Sequence, residues 1–211
     1  MGADLTFAVV ALSAVFFVID PLACVPVFLS ITSGHDAPSR RKVARRAAFA
    51  AWVILCIFAL AGGLIFRAFG ISLGAFKVAG GIMLLLMSVD MMRANPSPTR
   101  TTIEEQDESR SRADVAIFPL AMPMLAGPGA IATVAVFMSR ANWRLVPTLG
   151  VFAAITITCL ACWLFMRGAS TAERFLPKTL LHAFERVMGL LLAAIAVEFV
   201  AGGVRDLVRM G

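Results

Sequence analysis

Tyrosine is missing from this chain, and charge is scarce: Asp, Glu, Lys and Arg make up 15% of 211 residues, against 60% hydrophobic. A soluble domain of this length needs more charge to stay dispersed, so that class is excluded. There is no glycine-rich phosphate loop, no nucleophile–histidine–acid pattern and no zinc-spaced set of Cys and His. A formal net charge of +6 would suit nucleic acid, yet most basic residues flank apolar runs, which is the mark of membrane topology and not of a nucleic-acid partner. No Lys/Arg-rich stretch precedes the first apolar run, so that run is expected to stay as a membrane helix and not to leave as a signal peptide.

Six apolar runs are present. They cover about Leu5–Ile31, Ala47–Phe66, Ile71–Met92, Val115–Met138, Leu145–Met166 and Leu180–Val204. Each reaches the roughly 20 residues that a helix needs to cross roughly 30 Å of hydrocarbon. Charges near the ends of the third and sixth (Lys77, Asp90, Glu185, Arg186, Glu198) must snorkel or face protein. Lys77 and Glu185 read best as interfacial anchors or ion-pair partners.

Basic residues orient the spans. Arg40, Arg41, Lys42, Arg45 and Arg46 fall on the first connection, four arginines on the third, and Arg167, Arg174, Lys178 and Arg186 around the fifth. The positive-inside rule makes these connections cytoplasmic and both termini periplasmic. The polar stretch "RANPSPTRTTIEEQDESRSRAD" (93–114) reads as a cytoplasmic linker between a first half, 1–92, and a second, 115–211.

The halves repeat. "AFKVAGGIMLLLMSVD" (75–90) and "AFERVMGLLLAAIAVE" (183–198) share Ala, Phe, Gly, Leu and Val at one offset, pairing Gly81 with Gly189 and Asp90 with Glu198. "LIFR" (64–67) lies against "LFMR" (164–167), and Asp20-Pro21 against Gly127-Pro128. Three spans per half force the halves to cross in opposite senses. The expected fold is therefore an all-α membrane protein of six transmembrane helices in two inverted three-helix repeats.

The first and fourth spans carry the helix breakers. "AMPMLAGPGA" (121–130) puts two prolines and two glycines in an uncharged run, and Pro21 and Pro26 interrupt the first span. Proline removes a backbone donor and clashes with the preceding turn. Each break leaves a half-helix starting at or just after Pro21 or Pro128, its positive end toward the membrane centre. Two such ends facing each other suit a small carboxylate. The expected substrate-binding residues are Asp20, Pro21, Cys24, Gly127, Pro128, Gly129 and Thr133. Asp20, about 15 residues into its span, is either a functional carboxylate or the cap of the second half-helix. Ser30, Thr32 and Thr133 either meet a ligand or bond their own backbone.

"PLAMPMLAGPGAIATV" (119–134), "FGISLGAFKVAGG" (69–81) and "RVMGLLL" (186–192) resemble the MarC family of bacterial inner-membrane proteins, over essentially the whole chain. The resemblance implies a six-span transporter of neutral amino acids within the lysine-exporter-like superfamily. Many members read D-P-x-G-N-x-P in the first span. Here Ala23-Cys24 replaces the Gly-Asn pair.

Cys24, Cys56, Cys159 and Cys162 raise a redox enzyme as a second class. That chemistry would need a thiol beside each break, and the fourth span has none, so no enzymatic activity is expected. Export of another metabolite or drug, and a scaffold role without transport, are the alternatives. A transporter of this kind needs no cofactor, only Na+ or H+ as coupling ion. Its partners are the small-molecule substrate and the bilayer. Gly and Ala on the second, third and sixth spans would also permit pairing with a second copy.

Overall fold

The computed structural model describes residues 2–32, 34–92, 116–172 and 178–210. The linker stretch 93–114 thus lies outside the described residues. Those described form helices and short turns, with no strand among them. In chain order the helices are α1 (Gly2–Ile19), α2 (Cys24–Ile31), α3 (Ala37–Ala68), α4 (Leu73–Met92), α5 (Ala116–Leu125), α6 (Pro128–Ala141), α7 (Leu145–Ala172) and α8 (Lys178–Met210). Five of them (α1, α3, α4, α7 and α8) are long and apolar enough to cross a membrane. A sixth crossing results when α5 and α6, bent by 56°, are taken as one. The all-α membrane architecture expected from the apolar runs is therefore present.

Two boundaries differ from the apolar runs. The first run is divided: α1 is long enough to cross by itself, and α2 is a separate helix of 8 residues. The second run begins ten residues earlier as a helix, because Asp36 starts α3 ahead of the arginines. The Asp36 carboxylate accepts the Ser39 N–H at 3.3 Å. Hydrogen bonds from the Ser39 side chain and backbone hold this carboxyl below its ordinary pKa. The 32 residues of α3 make a rod of about 48 Å, so its basic first turns extend past the hydrocarbon.

Glycines set how closely the helices approach. In hydrocarbon there is little hydrophobic drive between helices, and close backbone packing has to supply the attraction. α4 and α8 run antiparallel. A Cβ on Gly74 would meet the Gly203 carbonyl at 3.0 Å, and one on Gly81 would meet the Ala196 carbonyl at 2.8 Å and Val200 at 2.7 Å. On Gly189 it would meet the Ser88 carbonyl at 3.0 Å and Met92 at 3.1 Å. The contact is reciprocal: Ser88 and Ala196, and Met92 and Val200, stand at the same offset as Gly81 and Gly189. A two-fold relation between two helices has that consequence.

α1 and α6 also run antiparallel. The Phe7 and Phe137 rings meet edge to face at 5.7 Å, and Val18 lies against Gly129. Trp52 of α3 donates from Nε1 to Thr156 of α7 at 3.0 Å. At one end of the bundle Arg144 bonds Asp4 at 3.1 Å, and Lys77 bonds Asp206. This end, called the N-terminal face below, also carries the exposed aromatics Phe69 and Trp143, as a membrane–water interface requires. Leu64, Leu190 and Leu149 expose more than half of their surface along the sides, where lipid would cover them.

Gly81→Ala is expected to lower the melting temperature in detergent, because its Cβ would press on the α8 backbone. Gly168→Ala, with nothing within 4 Å of the added Cβ, should be neutral or gain up to about 1 kcal/mol of helix propensity. Equal melting temperatures for the two variants would show that α4 and α8 do not depend on this contact.

Candidate functional site

The first break is built by Asp20 and Pro21. Asp20 donates its N–H to the Phe16 carbonyl at 2.9 Å and turns into the left-handed region, with φ of 52°. Aspartate tolerates that conformation better than most residues. Pro21, with no N–H to give, cannot continue α1. The Asp20 carboxylate then reaches forward, Oδ1 accepting the Ala23 N–H at 3.2 Å. Asp20 therefore closes α1 and braces the turn, and α2 starts only at Cys24. Its other oxygen, Oδ2, is buried without a hydrogen-bond partner, and the residue is 4% exposed. An unpartnered buried carboxylate oxygen is costly unless a ligand, ion or proton meets it.

The second break is built by two X-Pro pairs and a glycine. Phe118 and Met122, each preceding a proline, take extended φ/ψ (−126°, 126° and −137°, 126°), where the proline ring pushes its predecessor. α5 is consequently kinked at these two residues, and at its end the Ala126 N–H reaches back five residues to Ala121 at 2.8 Å. Gly127 then sits extended as N-cap of α6, and Pro128 occupies the first turn, where its missing donor costs nothing. A Cβ at Gly127 would stand 2.4 Å from the Pro123 carbonyl, so this position admits only glycine without a shift. The Gly129 and Ala130 N–H groups are buried with no backbone acceptor among the described residues.

The antiparallel packing of α1 and α6 brings the breaks side by side. Val18 Cγ1 lies 3.5 Å, and Leu84 Cδ2 of α4 2.4 Å, from where a Gly129 Cβ would stand. α6 has 14 residues, about 21 Å, so its start lies well inside a roughly 30 Å hydrocarbon layer. The surroundings are apolar: Val18, Ile19, Leu84, Leu120 and Leu125 are all buried.

A model of MarC family integral membrane proteins matches residues 5–208. The chain belongs to the MarC family. Curated relatives agree. UPF0056 membrane protein YhcE of Escherichia coli K12 is 33% identical over 91% of this chain and 89% of its own length. A UPF0056 membrane protein of Methanocaldococcus jannaschii is 36% identical over 96% and 98%. UPF0056 membrane protein YvbG of Bacillus subtilis is 34% identical over 96% of each. No solved structure matches.

Of the seven residues that the MarC-like sequence singled out, six are buried and Pro128 alone is exposed. Asp20, Pro21 and Cys24 share one turn, and Gly127, Pro128 and Gly129 the other. Cys24 donates its S–H to the Pro21 carbonyl at 2.9 Å. The Cys24 side chain therefore folds back onto its own turn. Thr133 donates to the Gly129 carbonyl at 2.8 Å and Thr32 to Phe28 at 2.6 Å, so both hydroxyls bond their own helices. The Ser30 and Glu185 side chains lie outside the described residues. Lys77 is an ion-pair partner, of Asp206.

Sequence reasoning did not anticipate Leu84, which covers Gly129 from α4, nor Cys162, whose thiol faces Cys24 from α7. The spacing of Cys159 and Cys162 signalled only a packed helix face, and both are buried. The expected symmetry of the two half-helix ends is also modified. At the first break Asp20 already meets the turn's own N–H, which leaves α6 as the end with free donors.

Gly127→Ala should destabilise the protein by about 1–3 kcal/mol, the usual range for overpacking. Pro128→Ala, at a position where the lost ring removes no hydrogen bond, should stay within about 1 kcal/mol of wild type. Thermal unfolding of both in one detergent checks this, and the reverse ranking would mean that the ring and not the glycine holds the break.

Proposed function

We propose that this chain is a secondary transporter that binds a small neutral amino acid between the two helix breaks and couples its movement to Na+ or H+. The observation that carries the reading is the unpartnered, buried Asp20 Oδ2 on a break that packs beside the free N–H groups of α6. A zwitterion divides naturally between them. Its carboxylate meets the Gly129 and Ala130 N–H groups at the positive end of α6. Its ammonium, or the coupling cation, meets Asp20. The apolar surroundings leave no partner for a charged substrate side chain, which favours a neutral one.

The reciprocal contacts of Gly81 and Gly189, together with breaks at matched positions of the first and fourth runs, support two inverted repeats around the site. The excess of Arg and Lys on the odd-numbered connections supports an inner-membrane orientation with both termini periplasmic.

Asp20→Asn tests the site, because Asn also serves turns and caps and should keep the fold. In proteoliposomes with an imposed Na+ or proton gradient, the variant is expected to accumulate neutral amino acids at least about tenfold more slowly, from the loss of one charge-assisted hydrogen bond. Binding falls as well if the carboxylate holds the substrate ammonium; it survives if the carboxylate holds only the coupling ion. Wild-type accumulation by Asp20→Asn would reduce the residue to a brace. A panel of other metabolites run alongside decides the substrate class.

Orientation is tested with single cysteines in a cysteine-free background. Asn142→Cys, exposed on the N-terminal face, should react with an impermeant thiol reagent in intact cells, and Ser97→Cys in the linker should react only after lysis. The opposite pattern would invert the topology.

A further inference from the structure

A second polar region lies at the other end of α6. A cavity of about 640 Å³ opens on the N-terminal face between the ends of α3, α4, α6 and α8. That volume is in the range of small-molecule sites. Its walls are apolar: Phe58 and Phe66 line it from α3 and Met138 from α6. Phe66 is held by the ring of Phe76, with centroids 4.0 Å apart.

Charge is concentrated at its α8 side. Asp206 and Arg209, three residues apart and so on one helix face, both line it. Three cations, Lys77, Arg140 and Arg209, act on the single Asp206 carboxylate. Lys77 is already bonded to Asp206, and Arg140 lies over the Phe137 ring at 5.7 Å. Arg209 donates no hydrogen bond to a protein acceptor among the described residues. An apolar cavity with surplus positive charge at one side suits an amphipathic anion, and a guanidinium suits a carboxylate.

We propose that this cavity binds a small carboxylate with an apolar body, anchored by Arg209 and lodged against Phe58, Phe66 and Met138. The site uses no residue of the helix breaks and stands whether or not the chain transports amino acids. It has no need of a ligand ammonium, because Lys77 already neutralises Asp206. A carboxylate without an amine therefore binds, and an amine without a carboxylate does not.

Isovalerate and isoamylamine carry the same apolar body and separate these cases. Labelled isovalerate should bind wild-type protein in lipid nanodiscs saturably and resist displacement by isoamylamine. Arg209→Gln should weaken it by about tenfold or more, as expected for a lost charge-assisted pair, while Arg209→Lys keeps most of the affinity. Asp20→Asn should leave it unchanged. Absence of saturable binding, displacement by isoamylamine, or equal affinity in Arg209→Gln would each overturn the proposal. Loss of binding in Asp20→Asn but not in Arg209→Gln would place the ligand at the breaks and overturn it too.

Discussion

Backbone N–H and C=O groups cannot be left bare in hydrocarbon, where each unmet group costs several kcal/mol. This one requirement organises the molecule. Within the described apolar spans it is met by helices except at two interruptions, residues 20–23 and the stretch from Phe118 to Gly127, where Phe118 and Met122 are extended. The other turns described, at 34–36, 69–72 and 142–144, consist largely of exposed residues and can be met by water. At the first interruption Asp20 supplies what the backbone lacks. At the second, Gly127 and the Ala121 carbonyl, which accepts the Ala126 N–H, do part of that work, and two donors at the head of α6 stay open.

The remaining helices hold those two interruptions in place. Gly80 of α4 faces Ala132 of α6 so closely that a Cβ would stand 2.5 Å from it, and Leu84, one turn on, covers Gly129. α8 clasps α4 from the other side through Gly74, Gly81, Gly189 and Gly203. Small residues therefore matter here for position more than for flexibility. They let α4 lie near enough to α6 for Leu84 to seal the break. A larger residue at these contacts would loosen the site without touching it.

α6 connects two unlike environments. Its first turn lies at the breaks, among buried apolar side chains and one carboxylate. Its last turn ends at Asn142, in the left-handed conformation that closes the helix, beside the cavity lined by Asp206 and Arg209. The helix between is almost wholly buried: Gly129 through Met138 are all buried.

Membrane residence, helical class and the places where the helices fail could all be read from the chain, because they rest on local chemistry. Apolar run length decides whether a helix can span, and proline and glycine decide where it cannot continue. Asp20 and Gly127-Pro128 were legible for that reason. The pairing of Gly81 with Gly189 was visible as a repeat, though nothing local said that each would pack on the counterpart of the other's neighbour. Only the tertiary structure decided which groups were left over. It spent one Asp20 oxygen on Ala23, turned the hydroxyls of Thr32 and Thr133 onto their own helices, and folded Cys24 back onto Pro21. It also brought Leu84 and Cys162 to the breaks and Arg209 to a cavity, from helices far away in the chain. A residue type fixes what a side chain can donate or accept, but which of those capacities remains free depends on neighbours that only packing supplies.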